Sequence, residues 1–338
     1  MTMDDKAELI QLSHGSGGRL MHKLIKDYFV PAFDLKTLND SAVIDNISPG
    51  RIAVTTDSYV VSPLFFPGGD IGLLSVCGTV NDLSVTGARP LYMTAGFIIE
   101  EGFPMSDLIR ILNSMKSVSN ETGVRIIAGD TKVVDRGKGD GIFINTAGIG
   151  IIEEGIDISP ANVVPGDKII LSGSIGNHGI SVMAERNGLS FEPQIFSDVR
   201  PLNSLVGLMT DKTKKIHVMR DPTRGGLATT LKEIAIGSGY CVTIEENAIN
   251  IKPGVRGACE LLGLDPLYVA NEGILVAFVD RNDAEMLVNE MRKDKISPDA
   301  AIIGEVVETP KQTVLLKTNA GGIRIIDMLS GDQLPRIC

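Results

Sequence analysis

Several aspartates in the N-terminal half lie where predicted strands or glycine turns end. These are Asp40 in NDSAVID, Asp57 in TTDS, Asp82 in CGTVNDLSVTGARP and Asp130 in AGDTK. Carboxylates at strand ends can converge on one crevice, where hard oxygen ligands suit Mg²⁺ bound to phosphates. Aspartate also favours turns and helix caps, so each residue alone has an ordinary structural explanation. Asp82, beside Asn81 in an apolar-patterned helix, fits that explanation least well.

Three glycine-containing segments precede predicted helices and could bind anions through backbone N–H groups. They are HGSGG at 14–18, GSIGNHG at 173–179 and RDPTRGG at 220–226. None is a Walker A loop or a dinucleotide fingerprint, and an ordinary flexible loop is the simpler interpretation of the first two. The third combines two arginines, Asp221 and paired glycines, which is more specific for a phosphate or metal–phosphate group. A capped proline turn is its alternative interpretation.

Two further charged residues could transfer protons or stabilise charge. Lys132 follows the Gly-Asp-Thr turn, and Glu272 lies in Asn-Glu-Gly just before a predicted strand. A surface ion pair is the alternative for each of them. The histidines lack metal-ligand spacing and are expected in loops or on the surface; they are His14, His22, His178 and His217.

The sequence ends in Pro-Arg-Ile-Cys, which places a thiol at the C-terminal residue, Cys338. A thiol at the end of a mobile tail is accessible and could carry a bound group between two sites. It is not a prenylation box, which needs three residues after the cysteine. An incidental terminal cysteine is the alternative. The other cysteines lie in apolar or helical contexts and are expected in the core.

The elements that must position these residues alternate as short strands and longer helices, which is typical of a mixed α/β protein. Strands are predicted over 51–55, 91–99, 124–128, 141–151, 168–171, 274–279, 302–307, 314–317 and 323–326. A stretch with two prolines and several turn residues, 153–166, is the best candidate boundary. We therefore expect an N-terminal domain over 1–153, a C-terminal α/β domain over 154–329 and a flexible tail over 330–338.

Composition excludes several classes of protein. The chain has 338 residues, of which 43% are hydrophobic, and its formal net charge is −10. An acidic chain without Lys/Arg clusters is a poor candidate for binding nucleic acid. Four cysteines without C-x-x-C spacing indicate neither a disulfide framework nor a zinc site. No apolar run is long enough to span a membrane, and the acidic N-terminus does not resemble a signal peptide, so a cytoplasmic location is expected.

Over nearly the whole chain these motifs resemble the PurM-like superfamily of aminoimidazole ribonucleotide synthetase, selenophosphate synthetase and thiamine monophosphate kinase. The resemblance rests on HGSGG, NDSAVID, TTDS, CGTVNDLSVTGARP, AGDTK, RDPTRGG, NEG and PRIC. The acidic motifs are shared across the superfamily and indicate only ATP with Mg²⁺. The terminal PRIC resembles one family within it, the HypE carbamoyl dehydratases of hydrogenase maturation.

That resemblance implies a two-domain PurM-like fold whose N-terminal domains pair into a homodimer, with nucleotide bound near the interface. It also implies a reaction sequence. The carbamoyltransferase HypF would place a carbamoyl group on the Cys338 sulfur, and ATP would drive its dehydration to an S-cyanide, a thiocyanate. The cyanide would then pass to iron on a HypC–HypD complex, as a ligand of the [NiFe]-hydrogenase centre.

The resemblance further implies roles for individual residues. Mg²⁺ would be held by Asp57, Asp82 and Asp130, and further contacts to metal or nucleotide would come from Asp40, Asp221, Asn81 and Gly17. Glu272 would remove the nitrogen protons and Lys132 would stabilise charge on the reacting oxygen, two roles inferred from chemistry and motif position. Residues 14–18 would form a lid over the phosphates, and Gly331 would be a hinge for the tail.

Two other interpretations stay open at this point. The chain could be a different PurM-like enzyme, of the selenophosphate synthetase or cyclo-ligase type. Residues 10–20 contain no cysteine, which selenophosphate synthetases carry there or replace with selenocysteine, and a cyclo-ligase needs no terminal thiol. The chain could also be a non-catalytic carrier whose Cys338 presents a group made elsewhere.

Overall fold

The computed structural model describes residues 9–15, 19–35, 49–293, 297–328 and 336–338. The strands are β1 Arg51–Tyr59, β2 Phe65–Phe66, β3 Gly69–Asp70, β4 Ala88–Glu100, β5 Arg125–Val134, β6 Ile142–Ile152, β7 Lys168–Leu171, β8 Ile216–Arg220, β9 Cys241–Glu245, β10 Val276–Val279, β11 Ala301–Val307, β12 Val314–Lys317 and β13 Ile323–Ile326. The helices are α1 Arg19–Leu24, α2 Val30–Phe33, α3 Ile71–Val85, α4 Met105–Thr122, α5 Asn177–Arg186, α6 Asn203–Lys212, α7 Gly226–Ser238, α8 Pro253–Leu262 and α9 Ala284–Lys293. A π-helical turn, Ile25–Phe29, joins α1 to α2.

The first half of the chain folds as a four-stranded sheet, within the described ranges, that α3 and α4 cover on one face. Its strand order is β1-β6-β4-β5, with β4 and β5 parallel and the other pairs antiparallel. The opposite face carries apolar side chains that are exposed in the single chain. Ile52 is 56% exposed, Val54 69% and Ile98 46%. One face of this sheet therefore has no cover within the described part of the chain.

Helix α3 is buried on nearly every side because it lies between the sheet and the second half of the chain. Asp70 caps its N-terminus by accepting a hydrogen bond from the Leu73 backbone N–H at 2.9 Å. Gly72 allows α4 to approach closely, since a Cβ at this position would lie 2.4 Å from the backbone oxygen of Ile111. This close approach fixes the helix on which Asp82 is carried.

We expect Gly72→Ala to lower the free energy of unfolding by about 2 kcal/mol, because the added methyl group meets backbone that cannot yield without moving α4. Gly207→Ala is the matched control. Gly207 also lies inside a helix, and a Cβ there would meet nothing within 4 Å. This control should gain about 0.5–1 kcal/mol from the higher helix propensity of alanine. Chemical denaturation of the two variants measures both changes, and equal effects would contradict the packing account.

The second half of the chain folds around a seven-stranded sheet, as far as it is described, with strand order β13-β12-β9-β11-β7-β10-β8. The pairing is antiparallel except between β9 and β12. Successive residues of β7 face different cores: Ile169 and Leu171 pack with α7, whereas Ile170 packs with α6 and α9. Because both faces of the sheet are covered, β7 is apolar at every position after Lys168.

The expected mixed α/β fold is confirmed, and three strands have the predicted bounds: β7, β12 and β13. Several strands run further than predicted, and two of these extensions include predicted site residues. β1 continues past Thr55 to include Asp57, and β5 continues past Ala128 to include Asp130. These two aspartates therefore lie inside strands and not at their ends. The four-stranded sheet uses 51–152 and the seven-stranded sheet 168–326, while the domain bounds 1–153 and 154–329 stay a prediction.

The last three residues are docked against the first half of the chain. The Val60 N–H donates to the Cys338 carbonyl oxygen at 3.1 Å, and the Ser62 N–H donates to the Arg336 oxygen at 3.2 Å. These alternating bonds extend the line of β1 as a short antiparallel pairing. The side chain of Ile337 is buried in the core of the first half. Mobility of the whole tail over 330–338 stays a prediction.

No helix within the described ranges is long and apolar enough to cross a membrane.

Candidate active site

An open cleft of about 410 Å³ separates β1 and the end of α3 from β8. Its walls include Thr55, Asp82, Arg220 and Asp221. The Thr55 hydroxyl donates a hydrogen bond to the Asp82 carboxylate at 2.9 Å, which orients that carboxylate. The volume lies in the usual range of small-molecule pockets. The cleft thus brings acidic residues from both halves of the chain to one place.

The carboxylates around this cleft repel one another. Burial raises the pKa of Asp82, and the charge of Asp57 raises it further, while Arg220 and Arg224 act in the opposite direction. Burial and then the charge of Asp82 raise the pKa of Asp221 to about 7. A cluster of carboxylates that suppress each other's ionisation is an environment that a cation would stabilise.

We expect Asp221→Asn to raise the free energy of unfolding by about 2 kcal/mol at pH 8, in the absence of nucleotide and metal. A pKa of about 7 in place of the ordinary value near 4 would correspond to about 4 kcal/mol, and we halve this free energy because solvent partly reaches the side chain. A carboxyl group whose pKa is raised by folding stabilises the folded state at pH values below its pKa in the unfolded chain. That stabilisation is lost as pH rises from about 4 to about 7.

The difference between Asp221→Asn and the original chain should therefore disappear as pH falls toward 4. Urea denaturation across this range measures it. Asp211→Asn, at an exposed position outside the cleft, is the control and should change little at any pH. A stability gain that stays constant from pH 4 to pH 8 would contradict the assignment to Asp221 ionisation.

The docked tail brings the Cys338 thiol within electrostatic range of Glu272, Arg224 and Asp57. Burial raises the pKa of the Cys338 thiol to about 12, with a further increase from Glu272 and a partial compensation from Arg224. The thiol is therefore neutral at physiological pH in the docked state. Glu272 is itself buried, and burial together with Asp221 raises its pKa well above the usual range for a carboxyl.

Glu272 is held in place through its backbone. One oxygen of the Asp198 carboxylate accepts hydrogen bonds from the N–H groups of Glu272, at 3.1 Å, and Gly273, at 2.9 Å. The amide of Asn81 in α3 donates to the Glu272 carbonyl at 3.2 Å. It also donates to the Arg200 carbonyl and accepts from the Leu202 N–H.

These contacts give Asn81 a structural role. Its fully buried amide is occupied by backbone groups of 200–202 and 272. Asn81 thus joins the two halves of the chain and holds the Glu272 backbone, while its contact with nucleotide stays a prediction.

Asp130 and Lys132 do not join this cluster within one chain. Lys132 pairs with Asp130 at 2.7 Å, and both side chains are mostly exposed. The sheet register aligns one row of residues across the strands: Asp57, Thr146, Ala95 and Gly129. Asp130 is one residue along from this row, so its side chain faces the opposite, uncovered side of the sheet. Three strand spacings, roughly 14 Å, separate it from Asp57.

The predicted metal set of Asp57, Asp82 and Asp130 is therefore not assembled by one chain. Among the described residues, no three His, Cys, Asp or Glu side chains converge into a ready-made metal site. Mg²⁺ usually binds through one or two carboxylates together with substrate phosphates and water. Asp57 and Asp82, on the cleft side, fit that mode of binding.

Other predicted site residues have different outcomes. Asp40, Gly17 and Gly331 lie outside the described residues, and so does most of the 14–18 segment. In the 173–179 segment, two of the backbone donors that could bind an anion are already bonded within the protein. The Gly176 N–H donates to the Asn271 side chain at 2.7 Å, and the Gly179 N–H donates to the Ala270 carbonyl at 3.0 Å.

Comparison with known proteins also divides the chain into two halves. Residues 38–152 match the N-terminal domain of AIR synthase related proteins, and residues 164–317 match the C-terminal domain. The chain is 51% identical to the carbamoyl dehydratase HypE of Cupriavidus necator, over 98% of this chain and 96% of that protein.

Two solved structures are similar over most of the chain. A hydrogenase maturation protein HypE in complex with ATP is 47% identical, with a TM-score of 0.93 over 97% of this chain and 99% of that one. A chain of a HypE–HypF complex is also 47% identical, with a TM-score of 0.80 over 90% of this chain and 99% of that one. The chain belongs to the AIR synthase related family and, within it, to the HypE carbamoyl dehydratases.

Proposed function

We propose that this chain dehydrates an S-carbamoyl group on its own Cys338 to an S-cyanide at the expense of ATP. The observation that carries the proposal is the docked tail, in which backbone bonds to Val60 and Ser62 hold the last residues and the Cys338 thiol lies within electrostatic range of Glu272 and Asp57. The ATP complex of a HypE relative and the dehydratase relatives support ATP as the co-substrate. A cyclo-ligase or a selenophosphate synthetase would have no use for a C-terminal thiol at this position.

The chemistry requires that the carboxamide oxygen become a leaving group. The oxygen attacks the γ-phosphorus of ATP, an O–P bond forms, and the bond between that phosphorus and ADP breaks. One N–H proton is lost, which leaves an O-phosphorylated isourea-like group on sulfur. Loss of the second N–H proton then forms the C≡N bond as the C–O bond breaks and phosphate departs. The net change is removal of one water from the carboxamide, coupled to conversion of ATP to ADP and phosphate.

We assign removal of the nitrogen protons to Glu272, because it is the acidic residue whose charge acts most strongly on the docked Cys338 thiol. Its raised pKa makes it a stronger base than an exposed carboxylate once it is ionised. Arg224, whose charge acts on both Cys338 and Asp82, links the thiol to the cleft in which the phosphates would lie. Burial of the tail excludes water that would hydrolyse the phosphorylated group.

Mg²⁺ is the second cofactor that we propose. Asp57 and Asp82 would hold it, with Asp221 as a further contact to metal or nucleotide. When bound, the ion neutralises phosphate charge during transfer. The raised pKa values of Asp82 and Asp221 support this proposal, since burial raises both first and the charges of neighbouring carboxylates raise them further.

We propose that two chains pair through the uncovered face of the four-stranded sheet. Large exposed apolar patches on soluble proteins mark interaction sites, and Ile52, Val54 and Ile98 form part of this face. Asp130 and Lys132 lie on the same face. In such a homodimer they would serve the cleft of the second chain, which gives them the roles expected in metal binding and in charge stabilisation.

The further steps require partners. We propose HypF as the carbamoyl donor, supported by the solved complex of a HypE relative with HypF. A HypC–HypD complex would accept the cyanide. The four cysteines are all free thiols, which fits the reducing cytoplasm as the place of action.

The mass of the C-terminal peptide tests the proposal. The chain is first incubated with HypF, carbamoyl phosphate and ATP, HypF is removed, and Mg-ATP is added in a second step. A carbamoyl adduct on Cys338 should lose one water only in the second step. Cys338→Ser should form no such thiocyanate. An adduct that never loses water would favour the carrier, and a wild-type chain without any adduct would exclude the terminal thiol as the carrier of the group.

A further inference from the structure

His178 lies in the first turn of α5 and is completely buried, contrary to the expected loop or surface position. Its Nε2 atom is 2.9 Å from the carbonyl oxygen of Ile337, one residue before the thiol-bearing Cys338. Its Nδ1 atom is 2.8 Å from the Ser197 hydroxyl oxygen. The Phe66 ring packs against the imidazole edge-on, with centroids 5.5 Å apart. The ring is therefore fixed on both nitrogens and on one side.

These contacts define the hydrogen-bonding state of the ring. A carbonyl oxygen can only accept, so Nε2 must carry the proton that it donates to Ile337. In the neutral ring Nδ1 is then an acceptor, and the Ser197 hydroxyl donates to it. Burial lowers the pKa of His178, which favours this neutral state.

His178 and Glu272 share one rigid support. The helix that carries His178 is bonded to the segment preceding Glu272 through Asn271 and Ala270. A second connection runs through two consecutive residues. Ser197 bonds the His178 ring, and Asp198 bonds the Glu272 backbone. His178, which holds the tail, and Glu272, whose charge acts on the Cys338 thiol, are thus fixed relative to each other.

We propose that His178 is a positioning residue for dehydration: it holds the Ile337 carbonyl so that the group on the Cys338 sulfur lies against Glu272. This inference rests on the proposed function for its effect on rate. Its structural part, that His178 docks the tail, stands without it. When the tail leaves, the Nε2–H of His178 loses this acceptor, and so tail release is opposed by an unpaired buried donor.

The experiment compares His178→Ala with the original chain in two assays. The first is the rate at which iodoacetamide alkylates Cys338 at pH 8, followed by the mass of the C-terminal peptide. We expect about a tenfold increase, because loss of one buried hydrogen bond shifts the tail toward its accessible state. The second is single-turnover dehydration of the carbamoylated chain, which should slow by about tenfold, whereas carbamoylation by HypF should not slow.

Three controls separate positioning from a loss of structure. His22→Ala removes an exposed histidine of α1 and should change neither rate. Ser197→Ala keeps the imidazole but removes its orienting bond, and it should change both rates in the same direction by a smaller factor. His178→Gln keeps a side-chain N–H donor and should restore part of both effects, which a merely packing role would not predict.

Unchanged alkylation in both His178→Ala and Ser197→Ala would overturn the docking role, even if one variant were less stable. Faster alkylation with unchanged dehydration would overturn the positioning role. If the original chain never dehydrates its adduct, the proposed function fails, while the alkylation assay still decides whether His178 docks the tail.

Discussion

Glu272→Gln should slow single-turnover dehydration of the carbamoylated chain by about 10²- to 10⁴-fold, the usual contribution of a positioned general base. The substitution preserves size and leaves the backbone contacts of Glu272 with Asp198 and Asn81 intact. Carbamoylation of Cys338 should proceed normally, because it depends on the released tail and not on Glu272. The adduct should therefore accumulate, which mass measurement of the C-terminal peptide shows directly.

The pH dependence gives a second test of Glu272. Burial and neighbouring carboxylates raise its pKa, so the ionised base forms only as pH rises, and the dehydration rate should rise with it. Glu272→Gln should lose this rise. Glu308→Gln, at an exposed position, is the control and should keep both the rate and its pH dependence. A Glu272→Gln chain that dehydrates at the normal rate would exclude this residue as the base.

Asp82→Asn should reduce dehydration by about a hundredfold or more, because it removes a carboxylate placed to hold the metal–phosphate group. Asp130→Asn should reduce it similarly if Asp130 serves the site of a second chain. Single-turnover rates of the two separate variants, measured at saturating Mg-ATP, give these effects. Normal activity of Asp82→Asn would exclude Asp82 as a residue of the active site.

The same two variants test whether the site is shared. In a mixed dimer of one Asp82→Asn chain and one Asp130→Asn chain, a shared arrangement leaves one site with both original carboxylates and the other with neither. Co-expressed mixed dimers should therefore recover about half of the original activity per dimer. Mixed dimers as inactive as the parents would show that both residues act within one chain, which the exposed position of Asp130 opposes.

Some candidate site residues could be singled out from the sequence because their signals are local. Asp82 stands out as a charge in an apolar helix, and Cys338 stands out as the last residue of the sequence. The side of the sheet on which Asp130 lies was not predictable in the same way. It depends on how far β5 continues, and the solvent-facing polar residues of that strand hide its length.

His178 was missed for a different reason. It resembles any histidine near a glycine turn until the C-terminal residues, more than 150 positions away, bond to it. Asp198 and Arg224 likewise acquire their roles only through contacts with Glu272 and Cys338. The contacts that dock the last residues are also non-local, since Arg336 pairs with Asp140 and donates to the Val60 carbonyl.

The fate of the carboxamide oxygen tests the central claim most directly. Cys338 is carbamoylated with carbamoyl phosphate whose carbamoyl group carries ¹⁸O on its oxygen atoms. HypF is then removed, and Mg-ATP is added to start dehydration. The account predicts that the label leaves the chain in inorganic phosphate, one ¹⁸O atom for each thiocyanate formed, because the oxygen departs bonded to phosphorus. Label recovered in water, with unlabelled phosphate, would contradict O-phosphorylation and with it the proposed use of ATP.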